Sequence, residues 1–257
     1  MSGLVTRLRA AGCVFAEEEA DLLVEAARDA DELEAMVRRR VVGEPLEYVV
    51  GWAAFCGIRM VVEPGVFVPR HRTELLVEEA ARLVPGNRAV VVDLCCGSGA
   101  LGAALAVRRD VDLYSADVDP AAARCARVNV AEAGGRVFTG DLFEALPDDL
   151  RGRVRVLLAN VPYVPTDAIA LMPPEARDHE TRATLDGGSD GLDLMRRVSA
   201  GASEWLAPGG TLLFESSERQ VDAMSSVLRA DGLEPRVVRS DDLGATVVTG
   251  RAQDTGR

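Results

Sequence analysis

The stretch 90-VVVDLCCGSGALGAAL-105 gives the strongest indication of the fold. It starts as an apolar run typical of a buried strand, passes through a glycine-rich turn and continues as an alanine-rich, helix-forming segment. Gly97, Gly99 and Gly102 form a G-x-G-x-x-G pattern, which favours a nucleotide-like ligand when it lies between a strand and a helix. Asp117 lies twenty residues after Gly97, where a carboxylate can accept hydrogen bonds from ribose hydroxyls.

The chain beyond residue 88 alternates short apolar runs with helical patterns. Strands are predicted near 89–94, 112–116, 135–138, 154–159, 210–215, 233–238 and 245–249. Helices are predicted near 100–108, 120–132, 191–206 and 218–230. This alternation predicts an α/β fold with a seven-stranded, doubly wound sheet, whose ligands bind at the carboxyl ends of the parallel strands. The last two strands have no helix between them and should pair antiparallel at one edge.

The first third of the chain has a different organisation. Residues 1–45 predict a small N-terminal helical domain of about three helices, which ends at Gly43-Glu44-Pro45. Residues 46–72, punctuated by glycine and proline, predict a β-hairpin linker. The α/β domain then covers 73–257 and opens with a helix near 73–84, for which Thr73 is the expected N-cap.

The amino-acid composition argues against a nucleic-acid-binding, a membrane-spanning or a disulfide-bonded protein. A formal net charge of −12 argues against stable nucleic-acid binding, which needs many contacts with phosphates. No apolar stretch approaches the roughly 20 residues of a membrane-spanning helix. Five cysteines, an odd number that includes adjacent Cys95 and Cys96, argue against a disulfide framework and for a reducing cytoplasm. The cysteine spacing gives no metal signature, so we expect no metal. We also expect the protein to be a cytoplasmic monomer.

The glycine loop alone is compatible with two cofactors, a nicotinamide dinucleotide or an adenosyl compound without a pyrophosphate, such as S-adenosylmethionine. Asp93 favours the second, because an acid just before the loop would repel a pyrophosphate but can accept hydrogen bonds around a cationic aminoacyl chain. Asp141, after the third strand, suits an adenine amino group, although it also fits a simple turn residue.

A second polar motif ends the fourth strand, in 154-VRVLLANVPYVPT-166. The Asn160 carboxamide oxygen and a nearby main-chain carbonyl are two acceptors suited to one planar –NH2 group. Pro162 fixes the direction of the preceding carbonyl, and Tyr163 offers a flat face to a planar substrate. Two such acceptors would aim the nitrogen lone pair at a methyl group and favour the positive charge that develops on nitrogen.

With these motifs, the sequence resembles the class I S-adenosylmethionine-dependent methyltransferases, and within them the protein N5-glutamine methyltransferases that modify peptide-chain release factors. The resemblance covers nearly the whole chain. It is carried by 43-GEPLEYVVG-51, 67-FVPRHRTELLVE-78, 91-VVDLCCGSGALGAALA-106, 157-LLANVPYVP-165, 179-HETRATLDGGSDGLDL-194 and 207-APGGTLLFE-215. The stretches at 67–78 and 179–194 are more specific than the glycine loop, because general methyltransferases lack them.

The resemblance implies a Rossmann-like, seven-stranded class I methyltransferase sheet, S-adenosylmethionine as methyl donor and S-adenosylhomocysteine as product. It implies that Asn160, Val161, Pro162 and Tyr163 bind the substrate amide, with Asn160, Pro162 and Tyr163 as the catalytic group. The predicted cofactor-binding residues are Asp93, Cys95, Cys96, Gly97, Ser98, Gly99, Asp117, Val118, Asp141, Leu142 and Asn160. Val161 stands where the family has a proline, and Cys95-Cys96 where a glycine and a small hydroxyl residue are usual.

The implied activity is methylation of a glutamine side-chain amide nitrogen in a protein substrate, a peptide-chain release factor, with the N-terminal helices helping to recognise it. Four alternatives stay open. The substrate can be another protein or a small amide, or an exocyclic base amine, since Asn-x-Pro-Tyr motifs also serve adenine methyltransferases. The chain can also be a nicotinamide-dependent oxidoreductase or a catalytically inactive binding module on the same fold.

Overall fold

A computed structural model of the chain describes residues 2–86 and 88–254. The α-helices are α1 (Ser2–Ala10), α2 (Ala16–Ala26), α3 (Ala30–Val41), α4 (Leu46–Val50), α5 (Glu74–Leu83), α6 (Ala100–Arg108), α7 (Pro120–Asn129), α8 (Pro174–His179), α9 (Asp193–Trp205) and α10 (Val221–Ala230). The strands are β1 (Trp52–Phe55), β2 (Ile58–Val61), β3 (Ala89–Leu94), β4 (Val111–Asp117), β5 (Arg136–Thr139), β6 (Val154–Ala159), β7 (Leu206–Ser216), β8 (Glu234–Ser240) and β9 (Ala245–Arg251).

Seven strands form one mixed sheet in the order β5-β4-β3-β6-β7-β9-β8, which confirms the predicted α/β fold. β5, β4, β3, β6 and β7 run parallel, while β9 pairs antiparallel with both β7 and β8. The predicted antiparallel pair therefore lies at one edge, with β8 outermost. The strand order reverses between β3 and β6, and ligands of such sheets bind in the crevice at this reversal.

The register of β3 decides which residues meet at that crevice. Leu94, the last residue of β3, is paired with Ala116 of β4 on one side and with Ala159 of β6 on the other. The residues that follow these positions are Cys95, Asp117 and Asn160, so the glycine loop lies between the other two predicted polar motifs.

The central strands are buried on both faces, as their continuous apolar sequences predict. In β3 and in β6, every residue but one is buried. Two apolar clusters cover the two faces of the sheet: one contains Trp205 and Phe214, the other Leu76 and Leu105. These faces hold the strands rigidly, so that the strand ends present side chains in fixed directions.

The N-terminal segment forms the three helices α1, α2 and α3, followed by the short helix α4. Its own apolar cluster includes Leu8, Leu23 and Val37. The predicted hairpin is β1–β2, whose two-residue turn places Cys56 at φ 52° and Gly57 at φ 81°. Positive φ at both central residues is the geometry of a type I′ turn, which fits the twist of the flanking strands.

Arg40 of α3 connects the N-terminal helices to α8. Its side chain is 8% exposed and contacts Glu19 of α2 at 2.6 Å and Glu175 of α8 at 2.7 Å. It also donates a hydrogen bond of 3.1 Å to the backbone carbonyl of Glu44. These acceptors offset the free-energy cost of removing the Arg40 guanidinium from water. Removing the guanidinium would leave the Glu19 carboxylate, which is 12% exposed, without a cationic partner.

No helix in residues 2–86 and 88–254 is both long and apolar enough to cross a membrane.

Replacing Arg40 with Ala should lower the free energy of unfolding by about 3 kcal/mol, because the carboxylate of Glu19, 12% exposed, is left without its cation. Urea denaturation followed by circular dichroism measures the change. Arg7→Ala is the matched control, since Arg7 pairs with Glu34 within the same bundle at the exposed surface and should shift the midpoint little. Equal shifts for the two variants would contradict the assigned role of Arg40.

Candidate active site

A cavity of about 330 Å³ opens at the carboxyl ends of β3, β4 and β6. Ten of the predicted site residues line it: Cys95, Cys96, Gly97, Ser98, Asp117, Val118, Asn160, Val161, Pro162 and Tyr163. The remaining wall is largely apolar and includes Phe55, Phe67 and Met172. A mostly apolar cleft with a few convergent polar groups is the usual form of a small-molecule site.

The glycine loop has the conformation that its sequence predicts. Gly97 and Gly99 lie at φ 54° and 76°, in the left-handed region that glycine adopts without strain. A Cβ on Gly99 would also approach the Ala126 backbone to 3.0 Å, so the loop packs closely against α7. The Gly97 N–H donates to the Asp117 carboxylate at 2.8 Å, which fixes the loop against the end of β4.

The adjacent cysteines are structural parts of this loop. Cys95 lies at φ 52°, a conformation that costs a non-glycine residue strain. Burial raises the pKa of both the Cys95 and the Cys96 thiol well above the usual range. Protonated thiols are poor nucleophiles and poor metal ligands. Within residues 2–86 and 88–254, no three His, Cys, Asp or Glu side chains are grouped closely enough to hold a metal ion.

Asp117 ends β4 and lines the cavity. One carboxylate oxygen accepts from the Gly97 N–H and the other from the Asp119 N–H at 2.9 Å. Burial raises its pKa, while these two backbone hydrogen bonds oppose the rise. Each oxygen keeps a further lone pair, so the carboxylate can still accept from a ribose hydroxyl.

Asp93 lies beneath the loop, outside the set of residues that line the cavity. It is fully buried, and its Oδ2 accepts from the Gly102 N–H at 3.0 Å. Its Oδ1 has no hydrogen-bond partner among the described residues, and burial raises its pKa to about 7. The carboxyl is therefore largely neutral at acidic pH, which weakens the prediction that its charge repels a pyrophosphate.

Asp141 and Leu142 are displaced from the cavity. The Asp141 carboxylate forms an ion pair of 2.7 Å with Arg197 and is about half exposed. Leu142 packs into an apolar core cluster, at φ 48°. Neither residue belongs to the cavity wall, so their predicted contacts with an adenine remain a prediction.

The Asn160–Tyr163 motif borders the cavity next to the glycine loop. The Val161 side chain is buried in the core, which anchors the motif at that point. In the described part of the chain, neither the Asn160 carboxamide oxygen nor the Val161 carbonyl forms a hydrogen bond. The two acceptors that the sequence indicates are thus both unpaired beside the cavity.

Sequence reasoning missed the residues that hold Tyr163. Its hydroxyl donates to Glu215 and accepts from Arg72, each at 2.8 Å. Thr73, the expected N-cap of α5, makes no capping hydrogen bond and instead donates its hydroxyl to Glu215. Glu215 lies near the end of the apolar strand β7. An acid in that position of a strand is the sequence feature that identified Asp93 in β3 and Asp117 in β4. The same criterion applied to β7 would have found it.

Comparison with known proteins gives first the class of the protein. The sequence profile of the family "Methyltransferase small domain" matches residues 57–172. A methyltransferase from Pyrococcus furiosus has the same fold, with a TM-score of 0.58, 13% identity, and coverage of 84% of this chain and 97% of that one. The chain thus has the class I methyltransferase fold.

Curated relatives then give the family. A release factor glutamine methyltransferase from Geobacter sulfurreducens is 39% identical over 84% of this chain and 75% of the relative. A 4-amino-L-phenylalanine/4-methylamino-L-phenylalanine methyltransferase from Streptomyces pristinaespiralis is 38% identical over 76% of this chain and 69% of the relative. The chain belongs to the release factor glutamine methyltransferase family, which confirms the resemblance. It is a methyltransferase whose methyl donor is S-adenosylmethionine, and this decides against the nicotinamide-dependent oxidoreductase.

The residues of the cavity fit this donor. Asp117 presents carboxylate oxygens for ribose hydroxyls, and Val118, 67% exposed, offers apolar surface at the cavity mouth. The glycine loop lets the ligand approach the backbone closely. The unpaired Oδ1 of Asp93 is a buried acceptor directly beneath that loop. Which of these groups contacts the donor remains a prediction.

The raised pKa of Asp93 predicts a pH-dependent stability. Between its unfolded pKa, about 4, and its folded value of about 7 the folded protein holds a proton that the unfolded chain has lost, so this contribution to stability is lost as the pH rises through 7. Asp93→Asn, which stays neutral, should therefore become more stable relative to the wild type between pH 5 and pH 8. Urea unfolding of both proteins without cofactor measures this; a constant difference would contradict it.

Proposed function

We propose that this protein transfers a methyl group from S-adenosylmethionine to the side-chain amide nitrogen of a glutamine in a peptide-chain release factor. The proposal rests on one observation above all: the two unpaired acceptors of Asn160 and Val161 at the wall of the cavity, next to the glycine loop. Two acceptors match the two N–H bonds of a primary amide. The substrate named for the Geobacter sulfurreducens relative supports the same choice.

The reaction needs a device that activates a weak nucleophile. An amide nitrogen shares its lone pair with the carbonyl and carries developing positive charge when it attacks. Acceptors on both N–H bonds stabilise that charge and direct the lone pair, and they act as fixed dipoles that need no reorganisation. When bound, S-adenosylmethionine would supply an electrophilic methyl group: the N–C bond forms as the S–C bond breaks, and S-adenosylhomocysteine is the leaving group. The excess proton on nitrogen would pass to solvent as the product leaves the cavity. No cysteine or histidine nucleophile is required.

The apolar wall completes the site. Phe67, Pro162 and Tyr163 provide surfaces against which a planar amide and its methylene chain can pack. Excluding water there strengthens the hydrogen bonds to Asn160 and Val161. The N-terminal helices are proposed to recognise the protein substrate, since Arg40 connects them to the segment that leads into the cavity.

A second candidate substrate is a free aromatic amine, such as a 4-aminophenylalanine. The Streptomyces pristinaespiralis relative named for that substrate is 38% identical, nearly as similar as the release factor methyltransferase from Geobacter sulfurreducens. An arylamine also presents a planar –NH2 group with a delocalised lone pair, so the same two acceptors serve it. The aromatic side chains of the wall suit its ring.

The deciding experiment follows a labelled methyl group from S-adenosylmethionine into three acceptors: an intact release factor, the same factor with its target glutamine replaced, and free 4-amino-L-phenylalanine. We expect label in the intact factor alone. Label in the amino acid alone would establish the second candidate. Binding of S-adenosylhomocysteine without transfer to any acceptor would overturn both and favour an inactive binding module or another substrate.

Asn160→Ala should lower kcat for methyl transfer by about 100-fold, because removal of one preorganised polar group costs this much in comparable sites. The protein should remain folded, since the Asn160 side chain forms no hydrogen bond within residues 2–86 and 88–254. Single-turnover kinetics and circular dichroism measure the two quantities. Unchanged turnover would remove Asn160 from its assigned role.

A further inference from the structure

Glu215 is the centre of a buried polar network beside the cavity. It is 3% exposed, and its Oε1 accepts from the Arg72 guanidinium and from the Tyr163 hydroxyl, each at 2.8 Å. Its Oε2 accepts from the Thr73 hydroxyl. Arg72 also donates directly to the Tyr163 hydroxyl, at 2.8 Å, which closes a ring of three hydrogen bonds.

The backbone end of Tyr163 is held from the same direction. The Gln220 side-chain amide donates to the carbonyls of Tyr163 at 3.0 Å and Asp190 at 3.1 Å. The Ser217 hydroxyl donates to the Gln220 side-chain oxygen at 2.6 Å, which fixes the orientation of that amide. Glycine at position 191 makes this close packing possible, because a Cβ there would lie 2.2 Å from the Tyr163 carbonyl oxygen. Residues 215–220, which end β7 and follow it, therefore constrain Tyr163 at its hydroxyl and at its backbone.

We infer that Glu215 is a positioning residue for methyl transfer, which acts by fixing the ring of Tyr163 through the hydroxyl. This inference rests on the proposed function, in which the Tyr163 ring forms the wall that orients the planar –NH2 group toward Asn160 and Val161. The hydroxyl oxygen of a tyrosine lies on the axis of rotation of its ring, so an anchor at that atom fixes the direction in which the ring points. A phenol hydroxyl donates and accepts close to the plane of its ring, so the two contacts with Glu215 and Arg72 also favour one orientation of that plane.

The hydrogen bonds around Glu215 contribute more to the orientation of the Tyr163 ring than to the stability of the fold. A buried carboxylate is costly to desolvate, and a well-packed apolar residue of the same size would stabilise the fold at least as well. Here the carboxylate accepts from three side chains that all line the cavity, Arg72 and Thr73 from one chain segment and Tyr163 from another. Charge-assisted hydrogen bonds are directional, so they hold the ring within the narrow range of orientation that catalysis needs.

The test is a double-mutant cycle with Glu215→Gln and Tyr163→Phe. Tyr163→Phe removes the anchored hydroxyl, and Glu215→Gln replaces the carboxylate with a neutral amide of the same shape, which removes the charge that strengthens the hydrogen bonds to Arg72 and Tyr163. Each should lower kcat/KM for the accepted substrate by about 10-fold, the effect of one charge-assisted hydrogen bond. The Kd for S-adenosylhomocysteine, measured by calorimetry, should stay within about twofold of the wild type. If Glu215 acts through Tyr163, the double variant should be no slower than the slower single variant.

Glu218→Gln is the matched control. It makes the same chemical change three residues away, at an exposed carboxylate that pairs with Arg239, and kcat/KM should be unchanged. Wild-type rates for Glu215→Gln, multiplicative losses in the double variant, or a parallel loss of S-adenosylhomocysteine binding and thermal stability would each overturn the inference.

A wild-type protein that binds S-adenosylhomocysteine but methylates none of the three acceptors would refute the proposed function instead. The inference is then tested by crystal structures of the wild type and of Glu215→Gln. A shift of the Tyr163 ring in the variant supports it, and an unmoved ring overturns it.

Discussion

The pairing of Leu94 with Ala116 on one side and Ala159 on the other is the constraint on which the rest of the structure depends. Parallel strands in register end at the same edge, so this pairing alone brings the glycine loop, Asp117 and Asn160 together although they are distant in sequence. A shift by one residue would turn each of these side chains to the other face. The continuous apolar sequences of β3 and β6 leave room for such a shift, and the packing of two different core clusters excludes it.

Three acids near the ends of apolar strands show how one sequence feature serves three purposes. Asp93 anchors the first turn of α6 and keeps one oxygen without a partner. Asp117 accepts from two backbone N–H groups and still faces the cavity. Glu215 accepts only from side chains and faces Tyr163. An acid costs free energy in such a place unless donors surround it. The donors therefore identify the role: backbone donors fix a loop, and side-chain donors fix another side chain.

Local periodicity and the residues at strand ends allowed most of the fold and of the cavity wall to be predicted, although Glu215 near the end of β7 was missed. The seven strands, the glycine loop and the Asn160 motif follow from patterns within ten or twenty residues. Arg72 and Gln220 could not be found in this way, because their partner Tyr163 lies 91 and 57 positions away. The adenine contact predicted for Asp141 was inferred from its place after the third strand, and that for Leu142 from the resemblance. In the structure Asp141 pairs with Arg197 and Leu142 lies in the core, and their contacts with an adenine stay a prediction.

The choice between a protein glutamine and a free aromatic amine depends on features outside the two acceptors. The two acceptors that we propose on Asn160 and Val161 fit any planar –NH2 group, so they would contribute little to discrimination between the two substrates. Only a protein substrate can also use the surface of the N-terminal helices. Arg40 bonds that bundle to α8, which ends at His179, and the next residue, Glu180, lines the cavity and pairs with Arg70. A substrate that docks on the helices therefore acts on the same continuous set of contacts that shapes the cavity, whereas a free amino acid reaches the cavity alone. This connection between bundle and cavity is the structural reason to favour a protein as the substrate.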